Sequence, residues 1–265
     1  MSLAEADDFL AETRTLAALL NGRPPEDFER PTGFKGWTVN DVLAHLHFWN
    51  FAVDLGGSDV AGFERLAAEV AAAMSSGRLR ALEAAHAGAR GPELEALWLA
   101  NAEEMAPRWR EFDPKQRVPW VGPSMSARSA MTARQMETWA HGFEVFDLFG
   151  VEREESDRLR NIVVLGVNTF GWSHQVHGLP VPPAMPELRL VAPSGAIWTF
   201  GDASAGRIAG EAVDFAAVVT QTRALADTTL TCEGEIARGW MSRAQCFAGP
   251  PETPPAPGSR RRRAA

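Results

Sequence analysis

Cysteine is scarce in this sequence, and long apolar runs are missing. Only Cys232 and Cys246 occur among 265 residues, which is too few for a disulfide framework and not the spacing of a zinc ribbon. A bound metal would therefore need histidine and carboxylate ligands. No run approaches the roughly 18 apolar residues that cross a bilayer, and no basic stretch followed by an apolar one opens the chain as in a signal peptide. We therefore expect no membrane association and a cytoplasmic location.

Positive charge is also limited, since the formal net charge is −8. An acidic protein is a poor match for the phosphate backbone, so we expect no nucleic-acid partner. A short arginine run, Arg260–Arg263, follows the proline-rich segment Pro250–Pro257. This composition predicts a disordered tail over residues 251–265.

The first half of the chain has the apolar spacing of helices. Helix caps and apolar positions three and four apart predict five helices, at about residues 2–20, 38–55, 59–75, 93–112 and 127–149. A loop that ends at Gly36 separates the first two. We interpret residues 1–150 as an α-helical bundle of four to five helices.

The second half changes character and predicts a small α+β domain over residues 151–250. One helix at about residues 157–176 links the two halves. Short β-like runs at 187–192 and 196–200 surround Pro193-Ser194-Gly195, which predicts a hairpin. Further along we expect two strands and two helices, at about residues 207–210, 228–233, 214–225 and 237–247.

A candidate metal site comes from helix spacing. Glu137 and His141 lie four apart in a helical segment with apolar neighbours, so both side chains point the same way and can reach one ion at about 2.0–2.2 Å. On the second helix, His45 and His47 face opposite sides, and His45 shares the apolar stripe. Spacing favours His45 as third ligand but leaves His47 open.

Two histidines and one carboxylate leave coordination positions for water or substrate, as in catalytic sites. Asp41, Glu144 or Asp147 could orient an imidazole from behind. The plainer alternative is that Glu137 and His141 form an ordinary surface pair. His174 and His177 are a second possible ligand pair, although the helix dipole alone favours histidines in a last turn.

The residues around His45 resemble a known motif. Gly36-Trp37-Thr38 followed by Asp41-Val-Leu-Ala-His45-Leu resembles the second helix of the DinB-like superfamily, and in particular of the mycothiol-dependent maleylpyruvate isomerase family. The resemblance implies a DinB-like bundle whose metal ligands are His45, Glu137 and His141, followed by a sterol-carrier-like C-terminal domain. These ligand types accept zinc, nickel, iron or manganese, and we expect zinc.

The resemblance also implies a function. Many members use a low-molecular-weight thiol such as mycothiol, bacillithiol or glutathione, so we expect a metal-dependent thiol transferase or isomerase acting on a small electrophile. Where these isomerases end a late helix with Leu-Trp-Leu-x-Gly-Arg, this chain has Val218-Val-Thr-Gln-Thr-Arg223. The arginine remains, but the isomerase reaction itself does not follow. Arg223 or Arg128 would hold a substrate carboxylate.

Two other functions stay open at this point. One alternative is a non-catalytic protein that binds metal or a small ligand. Structural zinc sites are closed by four protein ligands, so a fourth ligand such as His174 or Asp147 would favour this alternative. Alternatively, the bundle holds no metal and its polar residues pair with one another. Related bundles often dimerise, so a homodimer also remains open.

Overall fold

The computed structural model describes residues 2–260 and divides into two compact units, Met1–Leu148 and Phe149–Ala265. None of the helices in the described residues is both long and apolar enough to cross a membrane. The expected disordered tail is described only as far as Arg260, and residues 261–265 lie outside the described part. Residues 251–260 form no helix or strand, and the Gly258 N–H donates to the Asp227 carboxylate at 2.8 Å.

The first unit is a helical bundle, as predicted, but the structure gives it six α-helices rather than four or five. They are α1 (Glu5–Leu20), α2 (Val39–Ser58), α3 (Val60–Ser75), α4 (Leu79–Ala87), α5 (Gly91–Arg110) and α6 (Ala127–Phe149). A 3₁₀ turn covers Pro25–Glu29, and a two-stranded ribbon pairs β1 (Arg117–Val118) with β2 (Met125–Ser126).

The helix that the sequence did not predict is α4. It has nine residues, is rich in alanine and has only a short apolar face, on which Leu79 and Leu82 pack partly buried against the cluster of Phe48 and Trp49, so a periodicity argument has few positions to detect. Gly88 ends it with a φ of 63°, a left-handed conformation that glycine adopts without strain. Tertiary contacts with α2 and α3, rather than local pattern, stabilise this helix.

Helix α2 is central to the bundle. It begins with a complete capping box between Thr38 and Asp41, which satisfies two backbone donors at its start. Val53 packs in a cluster with residues of α1 and α5, while Phe48 and Trp49 pack in another cluster with Val70 of α3. Because α2 is covered from several sides, it carries polar residues into the interior, among them the buried Asn40 and Asn50.

The second unit is an α+β domain, which confirms the predicted class. Its helices are α7 (Arg160–Asn168), α8 (Phe170–Gln175), α9 (Ala212–Val219) and α10 (Glu235–Met241), and its strands are β3 (Pro186–Val191), β4 (Ile197–Phe200), β5 (Asp202–Glu211) and β6 (Thr231–Glu233). The strand order is β4-β3-β5-β6. The predicted hairpin is confirmed as antiparallel β3 and β4, whereas β3 and β5 pair in parallel.

The prediction of a single linking helix over residues 157–176 was wrong in one respect. The structure divides it into a 3₁₀ turn at Asp157–Leu159, then α7 and α8, with a break at Thr169. The Thr169 hydroxyl donates to the carbonyls of Leu165 and Gly166. Such side-chain bonds compete with the backbone ladder, and the apolar periodicity that continues across the break concealed it.

Gly166 permits close packing of α7 on α9. A Cβ atom there would lie 2.9 Å from side-chain carbons of both Phe215 and Val219, which are themselves buried. We expect Gly166→Ala to lower the free energy of unfolding by about 1–3 kcal/mol through overpacking, as measured by urea denaturation.

Gly171 in α8 provides the matched control. A Cβ atom there would have its nearest neighbour at 3.8 Å, an ordinary contact, and alanine has the higher helix propensity. Gly171→Ala should therefore leave stability unchanged or raise it. Equal urea midpoints for the two variants would contradict the close packing.

Candidate metal centre

Helices α2 and α6 bring His45, Glu137 and His141 into one group. One ligand atom from each lies within 4.8 Å of the other two. Glu137 Oε2 is 3.4 Å from His45 Nε2 and 3.3 Å from His141 Nε2. Ligands of a tetrahedral ion with bonds of about 2.1 Å are about 3.4 Å apart, so these separations and this donor set fit a divalent cation such as zinc.

The group is shielded from solvent without being sealed. The side-chain exposures are 15% for His45, 24% for Glu137 and 10% for His141. Within the described part of the chain, no fourth histidine, cysteine, aspartate or glutamate belongs to the group. Glu137 is therefore the most exposed of the three side chains, so the group meets solvent chiefly on its side.

Glu83 of α4 supports the group from behind, and sequence reasoning missed it. It is buried at 3% exposure, and its Oε1 lies 3.0 Å from His45 Nδ1 and accepts from Trp49 Nε1 at 2.8 Å. Nothing in its local sequence marks Glu83, because the partner histidine is 38 residues away. The one available signal was a lone acid in an alanine-rich segment.

Glu83 determines which nitrogen of His45 carries the proton. A carboxylate only accepts hydrogen bonds, so Nδ1 of His45 donates to Glu83 and Nε2 keeps its lone pair in the neutral ring. That lone pair then faces the Glu137 carboxylate at 3.4 Å, which is also an acceptor. Two acceptors directed at each other require a cation between them, either a proton or a metal ion.

The pKa values follow from this arrangement. Burial alone would lower the pKa of His45, but its bonds to Glu137 and Glu83 outweigh burial and raise it. For His141 burial dominates and the pKa is lowered, even though Glu137 opposes the shift. Burial would raise the pKa of Glu137, but hydrogen bonds from His141 and His45 hold it well below its usual range. Glu137 is therefore an anion at neutral pH.

Two aromatic rings enclose His141 on one side. The Trp37 ring stacks on the imidazole at a centroid distance of 5.3 Å and an interplanar angle of 5°, and Phe34 meets it edge-on at 5.0 Å. Both belong to a tight loop closed by the Pro31–Thr38 bridge. Lys35 and Gly36 turn the loop with φ values of 50° and 70°. The rings restrict the imidazole orientation and exclude water there.

Asp41 supports this aromatic wall rather than the imidazole of His45. Its carboxylate accepts from Thr38 in the capping box and pairs with Arg80 of α4 at 2.5 Å. The Arg80 guanidinium in turn lies over the Trp37 ring at 4.9 Å, a cation–π contact. Asp41 is therefore connected to His141 through Arg80 and Trp37.

The other residues singled out by sequence lie elsewhere. His47 contacts the ring of His86 at 6.1 Å instead of the group, and Asp147 of α6 is not among the grouped ligands. Arg128 forms an exposed ion pair with Glu5 at 2.9 Å. In the second unit, Arg223 is buried and donates to the Thr222 carbonyl, while His174 is buried with Nδ1 2.9 Å from the Phe170 carbonyl. A ligand role for Asp147 or His174, and a substrate role for Arg128 or Arg223, stay predictions.

The architecture is that of a helical bundle followed by a small α+β domain. Residues 9–146 match the family model of the mycothiol maleylpyruvate isomerase N-terminal domain, which is more than half of the 265 residues. The chain therefore belongs to this family, as the motif around His45 predicted.

Two relatives and two solved structures are similar to the chain over most of its length. Two uncharacterised proteins of Mycobacterium tuberculosis, from strains CDC 1551 / Oshkosh and ATCC 25618 / H37Rv, are each 39% identical over 247 residues, covering 92% of this chain and 95% of the relative. The crystal structure of the mycothiol-dependent maleylpyruvate isomerase matches with a TM-score of 0.53 at 15% identity, over 88% of this chain and 93% of that chain.

A second crystal structure, of a mutant of that isomerase with alanine in place of a histidine, matches with a TM-score of 0.51 at 16% identity, over 82% of this chain and 88% of that chain. At such low identities the two matches show a shared fold.

The histidine pKa values provide a test of the site without metal. In chelator-treated protein we expect the His45 pKa to lie above the ordinary value of about 6.5 and the His141 pKa below it, in NMR titration of the imidazoles. Protonated His45 then stabilises the fold below about pH 6.5, and this contribution is lost as pH rises through the folded-state pKa.

Glu83→Gln should lower the His45 pKa, since it removes one anion from the ring. Glu64→Gln, which alters an exposed acid of α3, is the matched control and should change neither histidine. A His45 pKa that does not respond to Glu83→Gln would contradict the hydrogen bond on which the tautomer assignment depends.

Proposed function

We propose that the protein binds one divalent metal ion, zinc, through His45 Nε2, Glu137 and His141 Nε2, and that it is a metal-dependent enzyme. The observation that carries this proposal is the convergence of three acceptor atoms with separations of 3.3 and 3.4 Å around Glu137 Oε2. Nickel, iron and manganese accept the same ligand types, so elemental analysis of the purified protein decides the metal.

The bound ion would act as a Lewis acid that lowers the pKa of a coordinated thiol or water. Neighbouring side chains of the protein orient the proposed ligands for this chemistry. Glu83 holds His45 in the tautomer that directs Nε2 into the site, and Trp37 and Phe34 fix His141 and exclude water on their side. The three-ligand group leaves coordination positions available, which favours a catalytic site over a closed structural one.

The proposed reaction uses a low-molecular-weight thiol and a small electrophilic substrate. The name of the structurally similar isomerase includes mycothiol as the thiol on which it depends, and the chain belongs to the same family by its N-terminal domain. Thiol transfer to an electrophile and thiol-assisted isomerisation need the same step, which is the supply of a thiolate at neutral pH. We therefore propose the thiol class without assigning maleylpyruvate as substrate.

Zinc affinity tests the role of Glu83. We expect Glu83→Gln to weaken zinc binding by about 10–100-fold, the usual effect of removing an outer carboxylate from a ligating histidine, in competition titrations with a chromophoric chelator. Because a proton on His45 competes with the metal, the wild-type affinity should also fall as pH decreases through the raised pKa of His45. Glu64→Gln is again the control. Equal affinities in all three proteins would contradict the proposed support.

Thiol consumption tests the enzyme itself. We expect metal-loaded wild-type protein to accelerate loss of a thiol in the presence of one member of a panel of small electrophiles, and His141→Ala to reduce the rate by at least about 100-fold, because it removes a ligand of the proposed Lewis acid. The matched control is His47→Gln, which changes a histidine of α2 outside the group.

Three outcomes would separate the alternatives. Absence of bound metal, together with a melting temperature that does not respond to zinc or nickel, would exclude the metal site. Stoichiometric metal without thiol consumption on any electrophile would support the non-catalytic binding protein. Equal rates in wild type and His141→Ala would show that any activity occurs elsewhere.

A further inference from the structure

Arg134 is a buried arginine whose guanidinium is bonded to no carboxylate of residues 2–260. The residue is 3% exposed, and its Nε and Nη1 atoms are buried without a hydrogen-bond partner. Other arginines of the bundle differ: Arg14 pairs with Glu103 and Arg90 pairs with Glu29, and all four side chains are exposed. Buried donors without partners are unfavourable and rare in native structures, so these two nitrogens require an explanation.

Arg134 lies beside the metal group. It precedes Glu137 by three positions and His141 by seven on α6, and residues with these spacings share one face of a helix. Its charge acts on the carboxylates of Glu137 and Glu83 and on the His141 imidazole. The guanidinium is therefore part of the same polar interior as the three grouped ligands, although it bonds to none of them.

With the metal ion of the proposed function bound, the positive and negative charges around the group do not balance. This inference rests on the proposed function. Glu83 and Glu137 contribute two negative charges, a divalent ion contributes two positive charges, and Arg134 adds one more. The histidines are neutral when they bind a metal. One positive charge is left over in a shielded site, and buried charge is strongly unfavourable without a counterion.

We propose that Arg134 is the anion-binding group of this site and binds the carboxylate of a small molecule that lies at the metal. Guanidinium nitrogens donate to carboxylates with a geometry and strength that few other side chains provide. The carboxylate can belong to the thiol cosubstrate or to the electrophile, because the chemistry recognised is the same in both cases.

Three small ligands separate these sources by isothermal titration calorimetry on zinc-loaded protein. 3-Mercaptopropionate carries a thiol and a carboxylate, 2-mercaptoethanol carries the thiol alone, and propionate carries the carboxylate alone. The variants are Arg134→Met, which removes the charge, and Arg134→Lys, which keeps the charge but loses the guanidinium. The control is Arg14→Met, which alters an exposed arginine of α1.

We expect wild type and Arg14→Met to bind 3-mercaptopropionate at least about tenfold more tightly than 2-mercaptoethanol, the gain of one charge-assisted hydrogen bond. In Arg134→Met the two dissociation constants should become equal, and zinc should bind at least as tightly as in wild type, because a positive charge beside the ion is removed. Arg134→Lys should keep part of the difference, and it supplies the comparison if Arg134→Met does not fold by circular dichroism. Propionate is also titrated into wild type that is saturated with 2-mercaptoethanol. Propionate binding there that is lost in Arg134→Met would assign the carboxylate to the electrophile.

Failure of this proposal differs from failure of the proposed function. If zinc and both thiols bind but the preference for the carboxylate is absent from wild type, or persists in Arg134→Met, then Arg134 is not the anion-binding group. If zinc does not bind, the proposed function fails, and the surplus of positive charge from which the role of Arg134 is inferred fails with it. Zinc binding without a carboxylate preference overturns the role of Arg134 alone.

Discussion

The buried carboxylate of Glu83 is the interaction on which the site depends. Its Oε1 meets two side chains of α2 one turn apart, His45 at 3.0 Å and Trp49 at 2.8 Å. A buried carboxyl group is unfavourable without hydrogen bonds, so the two bonds of Glu83, which is 3% exposed, join α4 to α2 beside the apolar contacts of Leu79 and Leu82. The bond to His45 also orients the imidazole so that its other nitrogen faces Glu137. One buried side chain therefore contributes both to the packing of α4 on α2 and to the orientation of His45.

Helix α4 also supports the second histidine, by a different route. Arg80 lies one turn before Glu83 and bridges Asp41 to the Trp37 ring, which stacks on His141. This short, alanine-rich helix thus holds both imidazoles, one by hydrogen bonding and one through an aromatic contact. The two supports differ in what they regulate: the hydrogen bond sets a proton position, whereas the stacked ring sets an orientation and excludes water. Loss of α4 packing would disturb both together.

How far the sequence predicted this arrangement depends on where the determining contacts lie. Glu137 and His141 were predictable because four-residue spacing on a helix is a local property, and the motif around His45 supplied the third member. Glu83 and Arg80 were not predictable, because α4 is short and rich in alanine and the partners of these two residues are 38 and 39 positions earlier in the chain. Asp41 was expected to face an imidazole, since it lies one turn before His45, but its capping role commits it to Thr38 and Arg80. Local spacing identifies ligands, whereas their supports are set by tertiary packing.

Family membership and the particular side chains of this protein explain different parts of the site. A likeness at 15% identity over most of the chain requires only that helices with similar packing persist, and the grouped histidines and glutamate need no more than two such helices. To select among bound molecules, the site needs side chains other than the three grouped ones. These side chains must lie where a bound molecule would extend. Near the three grouped side chains, this bundle carries the aromatic pair Trp37 and Phe34 against His141 and the buried Arg134, which bonds to no carboxylate among the described residues. Under the proposed function, Arg134 would select bound molecules by charge and the aromatic pair would select them by shape, so substrate selection could change without any change in the three grouped side chains.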